Sequence, residues 1–259
     1  MAPLSRAEAR RIGALSRRRG REDRGLFLAE GIRVVEELLA SGLPLELAVV
    51  APTLDETERG RALRRRLAER VELREVEARE LRDLADTETS QGVLVVAGAR
   101  ETPLAELRVT GASVVLLLDG VQDPGNLGTL ARSAAAFGCG ALVVLPGTVD
   151  PWNPKAVRAA AGALFRLPVV RADVAAVAEW LARHGFLLAG ADAGGTPIDR
   201  TTLPQRVALA VGNEGAGLSG SVRERCERRL AVPMRAGTES LNVAVAAGIL
   251  LYDLTRERA

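Results

Sequence analysis

Val207-Ala208-Leu209-Ala210-Val211 runs directly into Gly212-Asn213-Glu214-Gly215-Ala216-Gly217. Five apolar residues without a polar interruption read as a strand buried on both faces, and the glycine cluster marks its abrupt end. Further strands of this kind are predicted at residues 114–118, 141–145, 186–189 and 229–232. Helical patterns are predicted at residues 127–137, 154–163, 174–184, 222–228 and 243–256. Strands and helices in alternation predict an α/β fold with a mostly parallel sheet covered on both faces.

The first hundred residues alternate on a smaller scale. Residues 30–40, 56–69 and 78–84 have helical spacing, and residues 45–50, 71–73 and 92–97 read as strands. Residues 87–91 read as a polar turn. Three or four strands with intervening helices suit a small α/β sandwich. Pro103 and Gly111 in the mixed-charge stretch 99–112 mark a linker. The expected division is residues 1–105 and residues 106–259.

Several function classes are disfavoured. The glycines after Val211 are spaced G-x-x-G-x-G, the reverse of the dinucleotide fingerprint. Cys139, Cys226 and the single His184 form no ligand cluster, so no metal site is expected. The longest apolar runs are strand-sized, well short of the roughly 18 residues that cross a bilayer. The N-terminus has no apolar signal core, and a cytoplasmic protein is expected.

Charge is unevenly placed. Residues 1–24 hold eight arginines and three acidic residues, a net +5, which leaves −3 for the remainder. This suits a phosphate-rich partner; the plain alternative is a solvated, Arg-rich first helix.

Three segments carry candidate chemistry. In Asn126-Leu127-Gly128-Thr129-Leu130-Ala131-Arg132, Asn126 occupies a plausible N-cap position after a turn. Arg132 lies about 140° around the helix from the core residue Leu127. An Arg at the C-terminal rim of a sheet can grip a phosphate or ribose oxygen. In the second segment, the glycines allow close backbone approach and main-chain contacts to a ligand. Glu214 is either an ordinary loop carboxylate, an aligner of an RNA hydroxyl, or a counter-charge to Arg132. In the third, Pro233-Met234 stops a strand, Gly237-Thr238-Glu239 forms a flexible loop, and Ser240 or Asn242 caps the last helix. Met234 and Leu241 either pack in the core or line an apolar slot for an adenine ring.

Taken in order, these segments resemble the three motifs of the SpoU (TrmH-like) branch of the SPOUT RNA methyltransferases. The resemblance covers about residues 114–258 and includes Val157-Arg158-Ala159-Ala160-Ala161-Gly162-Ala163. Phe27-Leu28-Ala29-Glu30-Gly31 and Thr89-Ser90-Gln91-Gly92-Val93 resemble the family's substrate-binding domain, an RNA-binding fold of ribosomal-protein type. The resemblance implies a C-terminal trefoil knot, a homodimer with its active site near the subunit interface, and S-adenosyl-L-methionine as cofactor. It implies Asn126, Arg132, Glu214, Ser240 and Asn242 as the catalytic or RNA-positioning group. Gly212, Val232, Met234 and Leu241 are implied at the cofactor, with Ala189-Gly190-Ala191 as a further strand-end contact. The expected reaction is 2′-O-methylation of ribose in rRNA. A tRNA substrate, or a catalytically silent RNA-binding protein of the same fold, are the alternatives.

Overall fold

The computed structural model describes residues 2–85, 89–111, 113–235 and 240–256. The start of the 87–91 turn and the loop at 237–239 lie outside these residues. The chain divides into two compact units, residues 1–100 with 150–165, and residues 101–149 with 166–259.

The first unit holds β1 (Ala2–Pro3), α1 (Arg6–Ala14), α2 (Arg18–Glu22), β2 (Leu26–Glu30), α3 (Ile32–Ser41), β3 (Leu45–Val50), α4 (Glu58–Ala68), β4 (Leu73–Glu75), α5 (Ala78–Ala85) and β5 (Val93–Gly98). Its sheet has five strands in the order β1-β4-β3-β5-β2, rather than the three or four expected. Glu30, where the helical reading begins, is instead the last residue of β2, and α3 starts two residues later behind Gly31 (φ 93°). β5 runs antiparallel to β2 and β3, whereas β4 is parallel to both its neighbours.

Alternation along β2 builds two cores. Leu26 and Leu28 pack with Ile12, Leu15, Leu47 and Val49 on one face. Phe27 points the other way, 4.8 Å from the Trp152 ring and 5.5 Å from Phe165. Trp152 stands just before α7 (Pro154–Ala160), and Phe165 lies in α8 (Ala163–Arg166). The predicted helix 154–163 therefore breaks. Ala161 (φ 47°) and Gly162 (φ 92°) turn the chain, and a Cβ on Gly162 would lie 2.5 Å from the Glu37 Cβ. Arg21, also in this unit, is buried against Asp150 at 2.5 Å.

The second unit holds β6 (Ser113–Leu118), α6 (Pro124–Ala136), β7 (Ala141–Val144), β8 (Val169–Arg171), α9 (Val174–Arg183), β9 (Leu187–Pro197), β10 (Arg206–Val211), α10 (Gly220–Arg223), β11 (Arg228–Ala231) and α11 (Val243–Thr255). The order is β11-β9-β10-β6-β7-β8, with every pairing parallel. β6 is buried at every position, as a parallel strand covered on both sides must be. Val115, Leu117, Ala208 and Ala210 pack with Trp180 and Leu181 of α9, while α11 packs on α6, β6 and β10.

Two boundaries differ from expectation. β9 continues to Pro197, with a register shift opposite Arg229 and Leu230. The helix expected over 222–228 ends at Arg223, because Glu227 donates its amide to the Leu188 carbonyl at 2.9 Å and the chain enters β11. Because the strands are parallel and in register, β6 and β10 end on one rim beside Gly190 of β9, where open α/β sheets place their ligands. No helix among the described residues is long and apolar enough to cross a membrane.

Candidate active site

The rim is assembled from three loops. After β6, the side chain of Asp123 accepts the Asn126 amide at 2.8 Å, and Pro124 occupies the first turn of α6. Asp123 is thus the N-cap, and the expectation that Asn126 caps this helix is corrected. Asp123 three residues earlier, followed by Pro, satisfies the same capping rule. The Asn126 side chain is thereby left for other partners.

Those partners come from the other two loops. Asn126 Nδ2 donates to Glu214 Oε1 at 2.9 Å, and Asn126 Oδ1 accepts from Asn242 Nδ2 at 3.0 Å. Glu214 also accepts the backbone amides of Gln122 at 3.3 Å and Asp123 at 3.2 Å, at the start of α6. Burial pushes the Glu214 carboxyl up, but the Asn126 amide and the backbone N–H groups outweigh it and hold it below the usual carboxylate range. The helix N-terminus favours the same charged form.

Asn242 caps α11, its Oδ1 accepting the amides of Ala244 at 2.9 Å and Val245 at 3.3 Å. Between Ser240 and Asn242, then, Asn242 is the cap. The cap fixes the amide so that Nδ2 faces Asn126.

The glycine loop after β10 is closed on itself. Asn213 and Gly217 exchange backbone bonds, each 2.9 Å, and Asn213 Oδ1 takes the amides of Gly215 and Ala216 at 3.0 and 2.9 Å. Asn213 Nδ2 reaches the Gly120 carbonyl at 3.0 Å, which ties this loop to the end of β6. The amides of residues 215–217 are therefore engaged within the loop, not offered to a ligand. Gly212 is required for an internal reason: a Cβ there would lie 2.2 Å from the Gly217 carbonyl carbon.

Beside this loop is a cleft of about 240 Å³. Its lining includes Gly212, Glu214, Val232, Met234, Ser240 and Leu241, six of the nine residues anticipated from sequence. Asn126 and Asn242 stand behind it through Glu214. Arg132 is exposed and has no hydrogen-bond or ion-pair partner among the described residues, so it does not pair with Glu214.

Asp192 and Arg223 also line the cleft and were not anticipated. Asp192 follows Ala189-Gly190-Ala191, which the structure places inside β9 rather than at the expected strand end, and it pairs with Arg229 at 3.3 Å. Arg223, placed by sequence inside a longer helix, carried no signal. It donates Nη2 to the Leu218 carbonyl at 3.2 Å.

Other reactive side chains have separate settings. Burial pushes the Cys139 thiol up to about 12 and the Cys226 thiol up to about 11, with Asp119 and Asp192 adding to the latter. His184 stacks on Trp180 at 4.3 Å with Nδ1 2.7 Å from the Trp180 carbonyl.

The sequence profile of the SpoU rRNA methylase family matches residues 113–252. That of an MRM3-like substrate-binding domain matches residues 7–95. A 23S rRNA (guanosine(2553)-2′-O)-methyltransferase, RlmP, of Bacillus subtilis (strain 168) is 38% identical over 230 residues, 88% of each chain. The structure is similar to the SpoU methyltransferase AviRb from Streptomyces viridochromogenes in complex with AdoMet, with a TM-score of 0.88, 30% identity and 98% of both chains covered. It is also similar to the AdoMet-bound rRNA methyltransferase from Sinorhizobium meliloti, with a TM-score of 0.87, 26% identity, and 100% of this chain and 98% of that one covered.

Proposed function

The chain belongs to the SpoU rRNA methylase family, and we propose that it transfers a methyl group from S-adenosylmethionine to a ribose 2′-oxygen of ribosomal RNA. The observation that carries this reading is the run of hydrogen bonds Glu214–Asn126–Asn242, which draws three distant loops to one cleft.

The lining fits the cofactor chemically. Val232, Leu241 and Leu250 provide an apolar wall for a purine, and Asp192 and Arg223 provide polar groups for a ribose and a charged amino-acid tail. When bound, S-adenosylmethionine supplies a sulfonium methyl group that the ribose oxygen takes in line as the 2′-OH loses its proton. The chain's task is positioning. Glu214 and Asn242 grip the Asn126 carboxamide at both ends and prevent its rotation. Ser240, exposed at the cleft, orients the RNA.

Arg132 binds an RNA phosphate and steadies negative charge developing on the 2′-oxygen. A guanidinium keeps its protons at any working pH, so the hydroxyl proton leaves to solvent or another oxygen. Methylation rates of Arg132→Lys and Arg132→Ala across pH test this role; undiminished activity in both excludes it.

The reading extends to organisation. Residues 1–105 bind RNA and residues 106–259 carry the methyltransferase, supported by the two profiles that fall on either side. A second copy covers the apolar strip of α11, where Val245, Ile249 and Tyr252 are 51%, 40% and 56% exposed. The C-terminal segment forms a trefoil knot, a reading supported by the return of α11 from the edge strand β11 onto β6 and β10. The cytoplasm, where ribosomal RNA is found, is the proposed location.

Two measurements test the function. Calorimetry should detect S-adenosylmethionine binding to the purified protein. Mapping of ribose methylation in ribosomal RNA from cells with and without the gene should show one position lost. Absence of both binding and a lost position would overturn the proposal, and a lost position confined to tRNA would redirect its substrate.

A further inference from the structure

The eight arginines of residues 1–24 meet different fates in the fold. Arg21 is 4% exposed, pairs with Asp150, and donates Nη1 to the carbonyls of Leu15 and Ser16, each at 2.9 Å. Arg11 pairs with Glu46 at 2.5 Å and Arg18 with Glu22 at 2.7 Å. Arg6, Arg10, Arg17, Arg19 and Arg24 are exposed. Among the described residues, only Arg19 of these five has a carboxylate within 4 Å, Asp23 at 3.7 Å, and its side chain is still 92% exposed.

Arg10, Arg17 and Arg19 line one open groove between α1 and α2, together with Gly13, Ala14 and Gly20. The floor is main chain. A Cβ on Gly20 would lie 2.0 Å from the Ala14 carbonyl oxygen, so α2 can meet the end of α1 only with glycine there, and the space over Gly13 is open. Arg24 donates Nη1 to the Gly20 carbonyl at 3.4 Å, which brings a fourth guanidinium to the same place. The buried Arg21 engages the carbonyls just past the end of α1, which would otherwise repel an anion.

We infer that this groove binds the phosphodiester backbone of the RNA substrate, with Arg10, Arg17 and Arg19 as its contacts. The inference rests on the methyltransferase reading and adds to it a defined anchoring surface. Guanidinium forks suit phosphate oxygens in pairs. Asp23 is the one acidic group in the described lining, against three arginines. That lining has no aromatic ring on which a base could stack. The groove therefore reads phosphates rather than sequence, and it fixes the position of the RNA while other contacts select the nucleotide.

The test uses the full chain and an unmodified 23S rRNA transcript in filter binding, with S-adenosylmethionine calorimetry alongside. The triple variant Arg10→Glu/Arg17→Glu/Arg19→Glu should bind the transcript about 10- to 100-fold more weakly at 0.1 M salt, with the slope of log affinity against log salt shallower by about two to three. Cofactor affinity should stay unchanged. A control with the same charge change on α4 and beyond, Arg65→Glu/Arg66→Glu/Arg70→Glu, should keep most of the RNA affinity. Wild-type affinity and slope in the groove variant, or an equal loss in the control, overturns the inference and leaves the methyltransferase reading intact. An RNA affinity that is unaltered while an acidic protein partner is lost makes the groove a protein-docking site and also overturns it. A wild-type chain that binds neither transcript nor cofactor removes the underlying reading itself. Should the triple variant fail to fold, Arg17→Gln/Arg19→Gln, both at exposed positions, should still flatten the salt slope by about one to two; an unchanged slope refutes the inference.

Discussion

Asn126 and Asn242, 116 positions apart in the chain, meet side chain to side chain at 3.0 Å. One amide caps the last helix and the other reaches back to Glu214, so a capping interaction and a rim carboxylate are joined through Asn126. This coupling separates structural from functional contributions at Asn242.

Asn242→Asp keeps the oxygen that accepts from Ala244 and Val245 but removes the Nδ2 donor. Unfolding free energy should stay within about 0.5 kcal/mol of wild type, because a carboxylate caps as well as an amide. Methylation should fall about tenfold or more, as expected for losing a hydrogen bond worth roughly 1.5 kcal/mol in positioning. Urea denaturation and single-turnover methylation check the two halves; equal activity would separate this amide from the chemistry.

Gly212→Ala inserts a methyl group against the Gly217 backbone. The 212–217 loop must shift, and with it a wall of the cleft. Calorimetry should show S-adenosylmethionine affinity lowered at least about tenfold, or roughly 1.4 kcal/mol. An unchanged affinity would show that the loop adjusts without moving the cleft.

Arg21→Ala takes the guanidinium away from the buried Asp150 carboxylate. Loss of one member of a buried ion pair costs about 3–5 kcal/mol, so the midpoint of urea unfolding should fall sharply. Replacing both, as Arg21→Met/Asp150→Leu, should recover much of the loss. A double variant as unstable as the single one would point to the Leu15 and Ser16 carbonyls as the larger requirement.

Glu8 closes a capping box with Ser5 and contacts Arg74 at 2.9 Å. Bonds from the Ser5 side chain and backbone, then from Arg74, draw its carboxyl down to about 2. A depressed folded value means that the stabilisation is complete above the ordinary glutamate range, near about 4.3, and is lost as pH falls through the folded value. Carboxyl NMR should place its titration near 2. Stability of Glu8→Gln should fall less than that of wild type across this interval; parallel pH profiles would contradict the assignment.

Ile249→Asp/Tyr252→Asp places charge on the exposed strip of α11. Light scattering should give a mass near the 27.4 kDa of one chain, against twice that for wild type. A monomeric wild type would remove the proposed second copy.

The strand 207–211 was legible because burial on both faces leaves an uninterrupted apolar run, and 45–50 because its run from Leu47 to Val50 is buried in the same way. β1 and β8, with two and three residues, are too short to show any period. The break after Ala160 was hidden because residues 157–163 keep helical composition, while the chain turns through positive φ at Ala161 and at Gly162, whose missing Cβ leaves room for Glu37. At the site, Gly212, Val232, Met234, Ser240 and Leu241 were named because their segments resemble the family's motifs, and all five line the cleft. The capping role of Asn126 was misread because Asp123 competes for it. Arg223 was hidden inside an overlong helix, since the amide of Glu227 finds its partner in a distant strand.

What the sequence alone determined is local: where apolar runs make strands, where polar turns end them, and which side chains can cap a helix. These depend on neighbours a few residues away. Only the tertiary structure decided which of those polar groups meet, and which of eight N-terminal arginines face solvent. The contact between Asn126 and Glu214 spans 88 positions and exists because β10 lies beside β6. Strand order is set by the summed packing of the whole unit, and no local period encodes it.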